Sequence, residues 1–141
     1  MNIKILIVNS NYYRNISSDL VKDAKLTLAK KKIKYELINA PGVLEIPVII
    51  AKNIKKFDGF VALGCVIRGE TPHFNFISKA TINALMRLSV KSKKPIGNGI
   101  LTCINKRQAI VRSSISGKKR KGREAAKAAL SVLGILKNES K

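Results

Sequence analysis

Apolar residues in this chain follow two patterns: short uncharged runs, and longer stretches in which they recur every three or four positions. The first suits strands buried in a sheet, the second helices with one apolar face. Ile3 to Val8, Tyr35 to Ile38, Phe60 to Ile67 and the glycine-broken segment Pro95 to Thr102 are the runs. Between the first two, Leu20, Val21, Ala24 and Leu28 share one side of a helix that Ser17 or Ser18 can cap. It ends in Lys30, Lys31 and Lys32, where cations favour the helix dipole. Val48 to Ile54 predicts a second helix, with Pro47 bounding the loop before it. A third opens at Thr71 and Pro72 and carries Ile77, Ala80, Ala84, Leu85 and Leu88. Lys106 to Arg112 predicts a short helix. A last one runs from Glu124 through Ala125, Ala126, Ala129, Leu130, Leu133 and Leu136 into a lysine-rich tail.

Repeated alternation of strand and helix predicts a parallel sheet with helices on both faces. Phe60 to Ile67 has neither charge nor helical period, as a strand covered on both faces would. Asn9, Ser10 and Asn11 bring turn chemistry to the end of the first strand, and Ala40, Pro41 and Gly42 to the end of the second. Ligands of open α/β sheets gather at such carboxyl ends.

The 141 residues suit one domain, and 45% hydrophobic content is that of a folding chain. A formal charge of +20 invites a nucleic-acid reading, because basic residues neutralise phosphates. The lysines are spread over most of the chain, only 5% of residues are aromatic, and no helix-turn-helix, zinc-finger or stacking signature accompanies them. Compositional bias at surface positions accounts for the charge, and nucleic acid is not the expected partner. Cys65 and Cys103 lie in apolar runs without metal-ligand spacing, so buried free thiols in a reducing cytoplasm are expected. No apolar stretch approaches the length of a membrane span, and the N-terminus enters a strand pattern at once.

Candidate chemistry concentrates in Val61 to Phe76, VALGCVIRGETPHFNF, which reads as strand, glycine turn and helix N-terminus. Free amides at Gly69, Glu70 and Thr71 could hold an anion such as phosphate there. His73, the only histidine, would stand within a turn of that anion. It can exchange a proton near neutral pH, although a structural histidine fits the same position. Tyr12 and Tyr13 either pack on a loop or stack on a flat ligand. Glu45, in apolar surroundings, either meets the start of a helix or needs a ligand as partner. Gly97 and Gly99 mark the close approach of a ligand or of backbone. Arg112 is a solvated surface residue or, with two parallel hydrogen bonds, a phosphate holder.

GCVIRGETPHF closely resembles the signature of the lumazine synthase family. APGVLEIP at Ala40 to Pro47, GNGILT at Gly97 to Thr102, QAIVR at Gln108 to Arg112 and KGREAAKAAL at Lys121 to Leu130 are similar to further segments in that family's order. Together they span nearly the whole chain. The resemblance implies a three-layer α/β/α sandwich with a four-stranded parallel sheet. It also implies the joining of 5-amino-6-(D-ribitylamino)uracil to 3,4-dihydroxy-2-butanone 4-phosphate in riboflavin synthesis.

By that resemblance Tyr12 lies against the pyrimidine ring. Val43, Leu44 and Glu45, with Cys65, Val66 and Ile67, hold the aminouracil and its ribityl chain, and Asn98 faces the ring from a neighbouring subunit. Glu70, Thr71 and Arg112 hold the butanone phosphate, Lys121 is a further contact, and His73 is catalytic. No metal and no cofactor is implied. The implied partners are small-molecule substrates, further copies in a homopentamer with active sites between subunits, and riboflavin synthase. Met1 begins almost at the first strand, where many relatives carry an extra one. A free pentamer is expected over a large closed shell, which would concentrate like charge. Glu70 stands where the family often has a small residue, and Asn75 where it is commonly acidic. Two readings compete: a nucleic-acid binder using the basic run Gly117 to Arg123, and a ligand-binding relative without turnover.

Overall fold

A computed structural model of the chain describes residues 2–134. Its strands are β1 (Lys4–Ser10), β2 (Lys34–Ala40), β3 (Gly59–Ile67) and β4 (Ile96–Cys103). Its α-helices are α1 (Arg14–Lys30), α2 (Ile46–Lys52), α3 (Phe74–Ser92), α4 (Lys106–Ser113) and α5 (Lys121–Val132). Short 3-10 turns at Val43–Glu45 and Arg68–Glu70 follow β2 and β3. The strands form one four-stranded sheet in the order β2-β1-β3-β4, with every pair parallel. Leu136 and the lysine-rich tail expected of the last helix lie outside the described residues.

Successive strand residues point to opposite faces, and this divides the core in two. Ile5, Ile7, Val61, Leu63 and Leu101 pack against α1, α4 and α5. Leu6, Val8, Phe60, Ala62 and Ile100 pack against α2 and α3. The result is the expected three-layer sandwich. β3 is buried at all nine positions, which is why its sequence shows no alternation. β2, at the edge, is only partly covered and carries Lys34, Glu36 and Asn39 among its apolar residues.

The glycines of β4 explain how closely the last helix sits. A Cβ on Gly97 would lie 1.9 Å from the Ala125 carbonyl oxygen. On the other flank of the helix, a Cβ on Gly122 would lie 2.3 Å from the Leu20 carbonyl oxygen. α5 therefore meets β4 and α1 at backbone contact. Gly97 marks the approach of backbone, and Gly99 makes room for the Leu63 and Ala125 side chains, so neither faces space for a ligand.

Several boundaries differ from expectation, each for a local reason. β1 continues through Asn9 and Ser10, because Asn39 and Ala40 of β2 continue beside them and Asn9 Nδ2 donates to Asn39 Oδ1 at 3.2 Å. α1 begins at Arg14, ahead of both serines expected to cap it. The Ser17 hydroxyl is instead a buried donor to the carbonyls of Ser10 at 2.8 Å and Tyr13 at 2.9 Å, tying helix to strand. Pro47 lies inside the first turn of α2, where a missing N–H costs nothing. α3 opens at Phe74 with His73 as its cap, because Thr71 is extended and its hydroxyl accepts from the His73 amide at 3.4 Å. α5 starts at Lys121, three residues before the expected Glu124.

Candidate active site

β1 leads on to β2 on one side and its other neighbour β3 leads on to β4 on the opposite side, so the connections leaving the carboxyl ends of these two adjacent strands run in opposite directions. A crevice opens at those ends, as at the switch point of other open α/β sheets. A cavity of about 240 Å³ lies there. The end of β3 supplies Cys65, Val66 and Ile67, the β1–α1 loop Tyr12, and the turn after β2 Val43. Glu70 and Thr71, after β3, are the other expected residues that line it. All seven of these sequence-predicted residues come together, from segments far apart in the chain.

Tyr13, read from sequence with Tyr12 as packing on a loop or stacking on a ligand, lines this cavity too, as do Ser10, Gly42 and Ile77, which were not expected as site residues. Ser10 is 1% exposed, and its Oγ has no hydrogen-bond partner among the described residues. It ends a strand as an ordinary small polar residue, and only the fold aims it at the cavity. Tyr13 packs edge-on against Tyr12, with ring centroids 4.9 Å apart. Burial, and then the Glu70 carboxylate, push its phenol above the ordinary range. The Cys65 thiol is pushed up to about 12 by burial, by neighbouring Cys103 and by Glu70. Thiol and phenol thus remain protonated at neutral pH, and the cavity wall offers neutral hydrogen-bonding groups to a ligand.

Other expected site residues stand elsewhere. Leu44 is 51% exposed, and Glu45 and His73 face solvent. The apolar neighbours of Glu45 in sequence do not bury its carboxylate, because the 3-10 turn directs Val43 and Ile46 inward and leaves residues 44 and 45 outside. The amides of Glu70 and Thr71 do not start α3; its first turn begins at Phe74.

Arg112 and Lys121 meet in a second cavity of about 310 Å³ beside the end of β4, together with Thr102, Lys119 and Glu124. Arg112 Nη1 donates to Cys103 Sγ at 3.8 Å. Burial raises the Cys103 thiol, and this guanidinium opposes the rise. Lys121 Nζ lies 3.6 Å from Glu124 Oε1. Asn98 borders a third cavity, of about 360 Å³, between α3, β4 and α5, near exposed Met86, Val90 and Val132. Its Oδ1 accepts from the Ile100 amide at 3.0 Å. Both cysteines are free and buried, as expected. Among the described residues no helix is long and apolar enough to cross a membrane.

Residues 2–137 match the family model described as 6,7-dimethyl-8-ribityllumazine synthase. A protein of that name from Bartonella bacilliformis is 45% identical over 141 residues, covering 97% of this chain and 92% of the relative. One from Agrobacterium fabrum is 44% identical over 140 residues, covering 94% of each. One from Novosphingobium aromaticivorans is 42% identical over 134 residues, covering 94% of this chain and 95% of the relative. With a match running almost end to end and a fold that agrees with it, this chain belongs to the 6,7-dimethyl-8-ribityllumazine synthase family.

Proposed function

We propose that the chain acts as a single-domain 6,7-dimethyl-8-ribityllumazine synthase. It condenses 5-amino-6-(D-ribitylamino)uracil with 3,4-dihydroxy-2-butanone 4-phosphate and releases phosphate and water. The observation that carries this reading is the cavity at the carboxyl ends of β1 and β3, where seven expected residues converge on a wall of protonated groups. The uracil amine attacks the butanone ketone and water leaves as the imine forms. Phosphate is then eliminated, and the ribitylamino nitrogen closes the second ring as further water departs. These steps need reactants held in register and protons moved.

Tyr12, 72% exposed, offers an open ring face for the pyrimidine. Val43, Leu44 and Glu45 bound the ribityl side, with the strand end Cys65 to Ile67 beneath. His73 relays protons between the amine and the departing oxygens. Glu70 and Thr71 face the phosphate-bearing substrate chiefly through backbone, since a Glu70 carboxylate turned towards phosphate would repel it.

Asn98, Arg112 and Lys121 border cavities other than the one that holds Tyr12. A site completed by a second copy reconciles this, with the adjacent subunit of a homopentamer presenting those three residues. Met86 at 63% exposure and Val90 at 69% on α3, with Val132 at 72% on α5, give that copy an apolar face to cover. Riboflavin synthase is the second protein partner in this reading, and the two free thiols fit a cytoplasmic setting.

The test is product formation by the purified protein, followed by lumazine absorbance above the uncatalysed background. Arg112→Ala removes charge-assisted bonds of about 1.5–3 kcal/mol, so KM for the butanone phosphate rises about 10- to 100-fold while that for the aminouracil holds. His73→Ala lowers kcat by about 100-fold or more. Absence of turnover in intact, assembled protein refutes the assignment.

A further inference from the structure

Lys119, Arg120 and Lys121 are consecutive, yet they point in different directions. Lys119 and Lys121 line the cavity that holds Arg112. Arg120 turns the other way, to α1, where its Nε lies 3.0 Å from Asp23 Oδ2 and its Nη2 2.7 Å from Asp23 Oδ1. Asp23 is 0% exposed, and this is its one ion pair among the described residues. A buried carboxylate held by both oxygens fixes the guanidinium in position as well as in charge. Arg120 has φ 42 and ψ 61, a left-handed conformation that L side chains rarely adopt. The two-bond pair holds the backbone there, and that turn sends the residues on either side of Arg120 to the same cavity.

The geometry points to Lys119 as a further phosphate-binding residue, brought beside Arg112 and Lys121 by the Arg120–Asp23 pair acting as a positioning clamp. This rests on reading the Arg112 cavity as the phosphate site. Charge gives Lys119 its part. A phosphate monoester carries close to two negative charges near neutral pH. Glu124 shares the cavity and lies within ion-pair reach of Lys121, so it answers part of that lysine's charge. Lys119 has no ion-pair partner among the described residues and leaves the cavity with an excess of cation. The basic run as a whole is not what matters: neighbouring Lys118 is exposed and does not line the cavity.

The experiment measures KM for each substrate, and competitive inhibition by inorganic phosphate, on the full-length assembled protein. Lys119→Ala, at an exposed position that the fold does not depend on, is expected to raise KM for the butanone phosphate and Ki for phosphate about fivefold or more. KM for the aminouracil should not move. Lys118→Ala is expected to change none of these. The double variant Asp23→Ala/Arg120→Gly removes the clamp without stranding a buried charge and permits the left-handed backbone. It is expected to reproduce the Lys119→Ala pattern and to weaken Lys121 as well. Unchanged phosphate inhibition in Lys119→Ala overturns the assignment of that lysine. An equal rise in both KM values, or a fall in kcat alone, in the double variant reduces the clamp to a structural contact and overturns it. Arg112→Ala separates the two levels. If it too leaves phosphate inhibition unchanged, the underlying reading of the cavity falls; if it raises Ki while Lys119→Ala does not, only this inference falls.

Discussion

Cys65 sits in the wall of the candidate active cavity, and its protonation decides whether it can act as a nucleophile there. With its thiol pushed up to about 12, the reactive thiolate at about pH 8.5 is roughly one molecule in 3,000. A thiol at an ordinary value of 9.0 would be about one-quarter ionised at that pH. Iodoacetamide should therefore alkylate Cys65 in the folded protein roughly 1,000-fold more slowly than in urea-unfolded chain, read by mass spectrometry of its peptide. Burial also slows access, so the pH profile is the sharper measure. The rate in folded protein should climb about tenfold per pH unit through pH 9 and 10 without levelling. A plateau near pH 9, or a rate within about tenfold of the unfolded chain, refutes the reasoning. The same shift affects stability. Above pH 9.0 the unfolded chain gives up this proton while the folded chain keeps it, so stability falls as pH rises. The slope from Cys65 is at most about 1.4 kcal/mol per pH unit.

Gly97→Ala would force a Cβ to 1.9 Å from the Ala125 carbonyl, and α5 must withdraw by about 1 Å or more. Urea unfolding should show a loss of about 2–3 kcal/mol, against less than about 0.5 for Gly69→Ala, which meets nothing within 4 Å. Met86→Asp and Val90→Asp place charge on the exposed α3 face, so sedimentation should show a smaller species with secondary structure intact by circular dichroism; an unchanged assembly removes that face from the interface. Ser10→Ala deletes a buried hydroxyl that has no hydrogen-bond partner among the described residues, so stability should hold or rise slightly while KM for the aminouracil increases. A destabilised variant with unchanged KM would mean that the hydroxyl serves the fold.

Much of the fold was legible because burial on two faces writes itself as an uncharged run, and β3 is the clearest case. The seven residues of the main cavity were legible for a different reason. Six lie in APGVLEIP and GCVIRGETPHF, segments that resemble the family's own, and Tyr12 matches by its count from the first strand. What escaped depends on long-range partners. Ser17 looks like a helix cap by residue type, yet its donor bond to Ser10 is set by how α1 crosses β1. Gly97 and Gly99 read equally as ligand space or helix contact until Ala125, far along the chain, is placed against them. Arg120 was one letter in a basic run, and only Asp23, 97 positions earlier, gives it a role. Asn98 and Arg112 matched their motifs, but the fold of one chain sets both beside cavities other than the one that Tyr12 lines.

Because α5 rests on the backbone of both β4 and α1, the wall bearing Lys121 has almost no room to swing. On the proposed reading of that cavity as the phosphate site, anion capture is then a matter of arrival rather than of closing: no hinge has to fold over the phosphate before it is held. The encounter rate should follow the field of a chain carrying +20, falling as added salt shortens a screening length of about 10 Å at 0.1 M. The surplus lysines scattered over the surface would then set how fast the site fills, and the few in the cavity how long it stays filled.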